Sequence, residues 1–334
     1  TAAAIAISSP LVLDDMDSVR RFAATAVSKE ARSLDGLVLN AGFSASRRDG
    51  KPHHTAQGIE SALGSMHVGH ALLTSLLMPS LRKGSREARV VTVASEASHL
   101  AAPLHPSIGV GDGEGDLRGE VTNANAPLGS PSIIANLVLD EIPNRVGSHF
   151  GMCSFTPVYM RAKYANVLYS RHLHEHVKLG GRRLVSTAVG PGFVFTSIFG
   201  DMGWGGVAYL GMEAIGLVAM RPSSLGAYGI VRALMDDAEA VDGKFLDAMA
   251  HARSFDDSCW GAGGCTAAEA KRLAKVTTRL IQATTPPRAA GVAPIDTSPT
   301  TAAVEAATSM LVVMVSLMGL AAAVAPLALE ARRR

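Results

Sequence analysis

Apolar positions along the chain alternate between short β-branched runs and longer stretches with helical spacing. Residues 36–40, 89–94 and 183–189 are short, nearly continuous apolar runs and read as buried strands. Pro10-Leu-Val-Leu13 is a shorter strand-like run, and Gly243-Lys-Phe-Leu246 reads as a last strand. Between them, Val19, Phe22, Ala23 and Val27 recur at helical spacing after the acidic Asp14, Asp15 and Asp17. That pattern predicts a helix from Ser18 to about Ala31, with negative charge at its amino end as the helix dipole prefers. Further helices are predicted over 57–81, 157–169, 222–235 and 266–281. This rhythm predicts an α/β fold, a doubly wound parallel sheet with helices on both faces.

Two regions break the rhythm. Residues 96–156 are rich in Gly, Pro, Ser and Asn and read as an insertion: a surface excursion, a substrate lid or a partner-binding loop. Residues 282–305 form a Pro/Thr/Ala linker. Residues 306–329 then run without a charge and end in Glu330-Ala-Arg-Arg-Arg334. About 20 apolar residues span a bilayer, so this stretch predicts one C-terminal transmembrane anchor. The expected division is a catalytic-type domain over 1–281, a linker over 282–305 and the anchor over 306–329.

The net charge of +2 and the lack of a basic stripe with interleaved aromatics argue against a nucleic-acid partner. The three cysteines are too few for a disulfide scaffold. Cys259 and Cys265 flank a flexible loop that could close a disulfide, but ordinary thiols are expected. His172, His174 and His176 alternate on one helix and point to different faces, so no metal site is expected. His67 and His70 read as packing.

The sharpest chemistry is Tyr159 with Lys163 four residues on, which puts phenol and ammonium on one helix face. A free phenol has a pKa of about 10 and is a poor acid or base near neutrality. A neighbouring cation is expected to move that pKa down. A buried Tyr beside a solvated Lys explains the pair better when it is taken alone.

The surrounding pieces change that balance. Leu34-Asp-Gly-Leu-Val-Leu-Asn-Ala-Gly42, then Arg89-Val-Val-Thr-Val-Ala-Ser95, then the Tyr159 helix, then Arg183-Leu-Val-Ser-Thr-Ala-Val-Gly-Pro-Gly-Phe-Val-Phe-Thr196 follow in order. As a set over about residues 10–250 they resemble the short-chain dehydrogenase/reductase family, nearest its retinol-dehydrogenase-like and protochlorophyllide-reductase-like branches. The resemblance implies a Rossmann-like fold and hydride transfer between NADP or NAD and an alcohol or carbonyl. It implies that Tyr159 exchanges the hydroxyl proton, that Lys163 tunes it and holds the nicotinamide ribose, and that Ser95 orients the carbonyl. Asn40 and Gly42 would lie beside the adenosine side, and Thr196, after the Pro191-Gly192 turn, would meet the carboxamide.

Some positions depart from the family pattern. No glycine-rich phosphate turn precedes residue 10, so the sheet is expected to be incomplete at its N-terminal side. Val12 stands where the family has an acidic residue, Met66 where it has a helix Asn, and Ala165 where protochlorophyllide reductases have a cysteine. Two functions are therefore expected as rivals. One is a membrane-anchored reductase acting on a lipid-like alcohol or aldehyde. The other is a catalytically eroded accessory subunit of a photosynthetic or respiratory membrane complex. A pigment-precursor reductase is a third reading. The expected partners are a small alcohol or carbonyl substrate, membrane lipid and other subunits. The expected location is a chloroplast or mitochondrial membrane rather than the endoplasmic reticulum.

Overall fold

A computed structural model describes residues 10–28, 33–43, 54–83, 87–101, 157–194, 220–258 and 265–284. In chain order its elements are α1 (Met16–Ser28), β1 (Gly36–Leu39), α2 (Ser61–Leu63), a π-helical turn (Gly64–Val68) and α3 (Gly69–Leu81). There follow β2 (Ala88–Val93), a 3-10 turn (Glu96–Leu100), α4 (Pro157–His176) and β3 (Leu184–Val189). The last are α5 (Ser223–Met235), α6 (Ala238–Val241), β4 (Lys244–Leu246), β5 (Ala252–Ser254), α7 (Phe255–Ser258) and α8 (Ala267–Ala283).

The described strands form one sheet in the order β1-β2-β3-β4-β5. The first four are parallel and β5 pairs antiparallel to β4. Alternate residues of the central strands enter different cores, as the two-residue period of a strand requires. Val91, Val93, Val185 and Val189 pack with Ile230 and Ala233 of α5. Ala88, Val90 and Leu184 pack with Tyr169 and Leu173 of α4. Helices therefore cover both faces, which is why β2 and β3 are buried at every residue. The result is the expected Rossmann-like parallel sheet.

Local differences from the sequence reading have identifiable causes. Residues 10–13 form no strand: the Val12 N–H bonds Ser18 Oγ at 3.1 Å and the chain turns straight into α1. The helix expected from residue 57 starts at Ser61, because the Glu60 carboxylate caps it by accepting from the Ala62 and Leu63 N–H groups, both at 2.8 Å. Ahead of it, residues 55–59 close a turn through Thr55 N–H to Ile59 O. Cys265, expected as a thiol, is fully buried and disulfide-bonded, with its partner outside the described residues. It precedes α8, whose start is fixed by a reciprocal capping box between Thr266 and Glu269. The Tyr164 hydroxyl also donates to Glu269, at 3.0 Å, so α8 is fastened to α4. That helix continues to Ala283, past the expected domain end at 281.

The predicted membrane anchor over 306–329 and most of the 96–156 insertion lie outside the described residues. Among the described residues, no helix is long and apolar enough to cross a membrane.

Candidate active site

Open α/β sheets bind ligands beyond the carboxyl ends of their strands. Three neighbouring parallel strands end here in the residues singled out above. Asn40 follows β1, Ser95 follows β2, and Pro191 and Gly192 follow β3. Helix α4 brings Tyr159, in its first turn, and Lys163 against the same end.

Ser95 is extended, and its Oγ accepts from the Ala97 N–H at 3.2 Å, capping the 3-10 turn. Its side chain also neighbours the Tyr159 phenol and favours the ionised form of that phenol. The two readings of a serine at a strand end, cap and site residue, thus hold at once. Tyr159 is 7% exposed and Lys163 4%. The Lys163 ammonium donates to Val93 O at 3.0 Å and stands 5.7 Å from the centre of the Tyr159 ring. Asn166, one turn further along α4, shares the same carbonyl at 3.3 Å.

Here the electrostatics correct the sequence-based expectation. Burial pushes the Tyr159 phenol above its ordinary pKa; the Ser95 side chain opposes this and the Glu96 charge adds to it. The cation lies over the ring face, and burial has lowered its own pKa to about 8. Desolvation outweighs the expected cationic pull on the phenol.

Gly42 also reaches this cluster. A Cβ there would meet Lys163 Nζ and Met66 Sδ, each at 3.2 Å. Met66 is fully buried within the π-helical turn, a helix irregularity often found at functional sites. His70 Nδ1 pairs with Met66 O at 2.9 Å, and burial plus the Lys163 charge hold that imidazole near pKa 4. His67 contacts Thr277 Oγ1 at 2.8 Å and the Tyr169 ring edge-on, so both histidines pack as expected.

Of the predicted site residues, Ser95, Tyr159, Lys163 and Gly42 meet in one cluster, and Pro191 and Gly192 join it through Glu96. The Asn40 residue is exposed, and Thr196 lies outside the described residues. Glu96 was missed by motif reading. Its signal was an acidic residue at the end of a fully buried strand. Its Oε2 accepts from the Gly192 N–H at 3.0 Å, and burial pushes the carboxyl above its ordinary pKa.

No family model matches the chain. Curated relatives do. Retinol dehydrogenase 12 of Homo sapiens is 33% identical over 55% of this chain and 43% of its own length. Polyprenol dehydrogenase of Homo sapiens is 25% identical over 70% of this chain and 58% of its own length. Protochlorophyllide reductase of Avena sativa is 36% identical over 34% of this chain and 37% of its own length. The chain is similar to the short-chain dehydrogenases/reductases. Within that likeness, the branches suggested by sequence are the ones matched. The chain spans about half the length of these relatives, so short-chain-dehydrogenase chemistry enters below as a proposal.

Proposed function

We propose that the protein is an NADP- or NAD-dependent oxidoreductase that moves a hydride between the cofactor and an alcohol or carbonyl carbon. The observation that carries this reading is the convergence of Ser95 and Lys163 on one buried phenol at the carboxyl end of β2. A nicotinamide cofactor, when bound, supplies or accepts the hydride. Lys163 fits such a group: an ammonium has three N–H donors, and one described acceptor, Val93 O, is paired with it. The other two can hold ribose hydroxyls, with Gly42 leaving room beside them. Ser95 would orient the substrate oxygen and Tyr159 would exchange its proton. A phenol held above its ordinary pKa stays protonated near neutrality, which suits donation to a carbonyl oxygen and hence reduction.

The finer reading is a membrane-anchored enzyme acting on a lipid-like alcohol or aldehyde in a chloroplast or mitochondrial membrane. Its support is the uncharged stretch 306–329. The names of the similar proteins, a retinol and a polyprenol dehydrogenase, point the same way. Carbonate extraction tests the anchor; release into the soluble fraction removes it.

One observation favours the rival, an eroded accessory subunit of a membrane complex. Met66, beside Lys163, offers only a weak thioether acceptor where a proton-relay group would serve. Calorimetric titration of the purified chain with NADPH and NADP separates the two. Binding is expected; none at millimolar cofactor leaves the rival.

A further inference from the structure

Glu96 has no part in the chemistry just assigned, yet it joins two pieces of the site. It follows Ser95 directly and opens the 3-10 turn beyond β2. The β2–β3 ladder ends near Val93 and Val189, with one more bond from Ala94 N–H to Val189 O. Gly190 N–H turns instead to Leu246 O of β4. Gly192 therefore lies past the last ladder bond, and its N–H needs an acceptor from elsewhere. It takes Glu96 Oε2 at 3.0 Å. The other oxygen, Oε1, is buried without a hydrogen-bond partner and lies over Gly190, where a Cβ would come within 2.7 Å. Gly192 itself has φ +78°, a conformation that side chains resist, and its Cβ position faces Ala248 Cβ at 2.8 Å. The turn thus has little freedom on its Ala248 side, and the Glu96 carboxylate closes the other.

We propose that Glu96 is a positioning residue: its carboxylate ties the Pro191–Gly192 turn to the strand end that carries Ser95. The tie sets the gap between that turn and the Ser95–Tyr159 pair. Its bearing on turnover rests on the oxidoreductase reading above; the tie itself does not.

The test uses the full chain and residue-resolved amide hydrogen exchange by NMR, which needs no cofactor. Glu96→Ala should speed exchange of the Gly192 amide about tenfold, the loss of one charge-assisted hydrogen bond. Glu96→Gln keeps an acceptor oxygen and should stay within about threefold of the parent. If the alanine variant does not fold, Glu96→Asp keeps the charge but withdraws the oxygen by one methylene, and fast exchange is expected there. Parent-like Gly192 exchange in a folded Glu96→Ala or Glu96→Asp chain overturns the proposal. So does equally fast exchange in the glutamine variant, because an acceptor alone would then not restore the tie. With NADPH as titrant, Glu96→Ala should raise cofactor KM more than it lowers kcat, and Glu96→Gln should rescue most of that loss. A parent protein that binds no NADPH defeats the oxidoreductase reading while the exchange result still decides the role of Glu96.

Discussion

Strands β1 and β2 are neighbours in one parallel ladder, yet they have different surroundings. Every residue of β2 is buried; in β1 Gly36 and Val38 are exposed and Leu39 alone is buried. The candidate site inherits this contrast. Its proposed proton-transfer half, Ser95 just past β2 with Tyr159 and Lys163 on α4, lies beside packing that covers both sheet faces. Its proposed cofactor half begins at Asn40 and Gly42, exposed residues that follow β1. Packing therefore holds the proposed acid–base group in place, whereas the edge proposed for the cofactor is exposed. On this comparison, the first half should be costly to perturb and the second cheap in stability but not in binding.

The largest effect is expected at the phenol. Tyr159→Phe should lower turnover by about 10²–10⁴-fold, the usual contribution of a positioned acid. Cofactor affinity should hold within about threefold. Steady-state kinetics with a binding titration checks both, and unchanged turnover removes Tyr159 from the mechanism.

Next is the core beneath the site. Phe245 is fully buried and meets the His99 ring edge-on at 5.1 Å. Phe245→Ala should cost about 3–5 kcal/mol in urea unfolding. Val38→Ala on the outer strand, 36% exposed, should cost under about 1 kcal/mol. Equal costs would dissolve the contrast between the strands.

Lys163 supplies a smaller effect of opposite sign. Its pKa falls from 10.5 to about 8 on burial, so the unfolded chain holds this proton more tightly than the fold does. Below about pH 8 the fold bears the buried charge at a cost of about 3 kcal/mol. That cost shrinks as pH rises from about 8 to 10.5, where the native side chain is already neutral. Lys163→Met should therefore be more stable than the parent at pH 7, by about 2–3 kcal/mol, while losing activity. The stability gap should close with rising pH. A less stable methionine variant at pH 7 would mean that the ammonium has found compensation in the fold.

The smallest effect tests the edge. Asn40→Ala should leave unfolding free energy within about 0.5 kcal/mol. It should weaken cofactor binding about fivefold, the worth of one hydrogen bond. A large stability loss there would show that the edge is not merely presented to a ligand.

Much of this contrast can be read before any coordinates. The largely apolar runs at 89–94 and 183–189, which show no strict apolar–polar alternation, mark strands covered on both faces, because a half-exposed strand would alternate. The four-residue step from Tyr159 to Lys163 places both groups on one side of a helix whatever the helix packs against. Other features were not legible. Nothing in Ala252-Arg253-Ser254 alternates, so β5 exists only because β4 offers it an edge. The capped start at Ser61 depends on a turn closed by Thr55 and Ile59, and the disulfide at Cys265 depends on which thiol the fold delivers.

Local spacing by itself determined the long helices, the central parallel strands and the shared helix face of Tyr159 and Lys163, while Ser95 became a candidate through the resemblance of the ordered set. Periodicity and backbone geometry act over a few residues and are written directly into the chain. Only the tertiary structure decided that burial lifts the phenol's pKa against the expected pull of the amine. The link from Glu96 to Gly192 was likewise settled there, across 96 positions of sequence. Both depend on solvent exclusion and on partners distant along the chain, and neither is encoded in any one stretch.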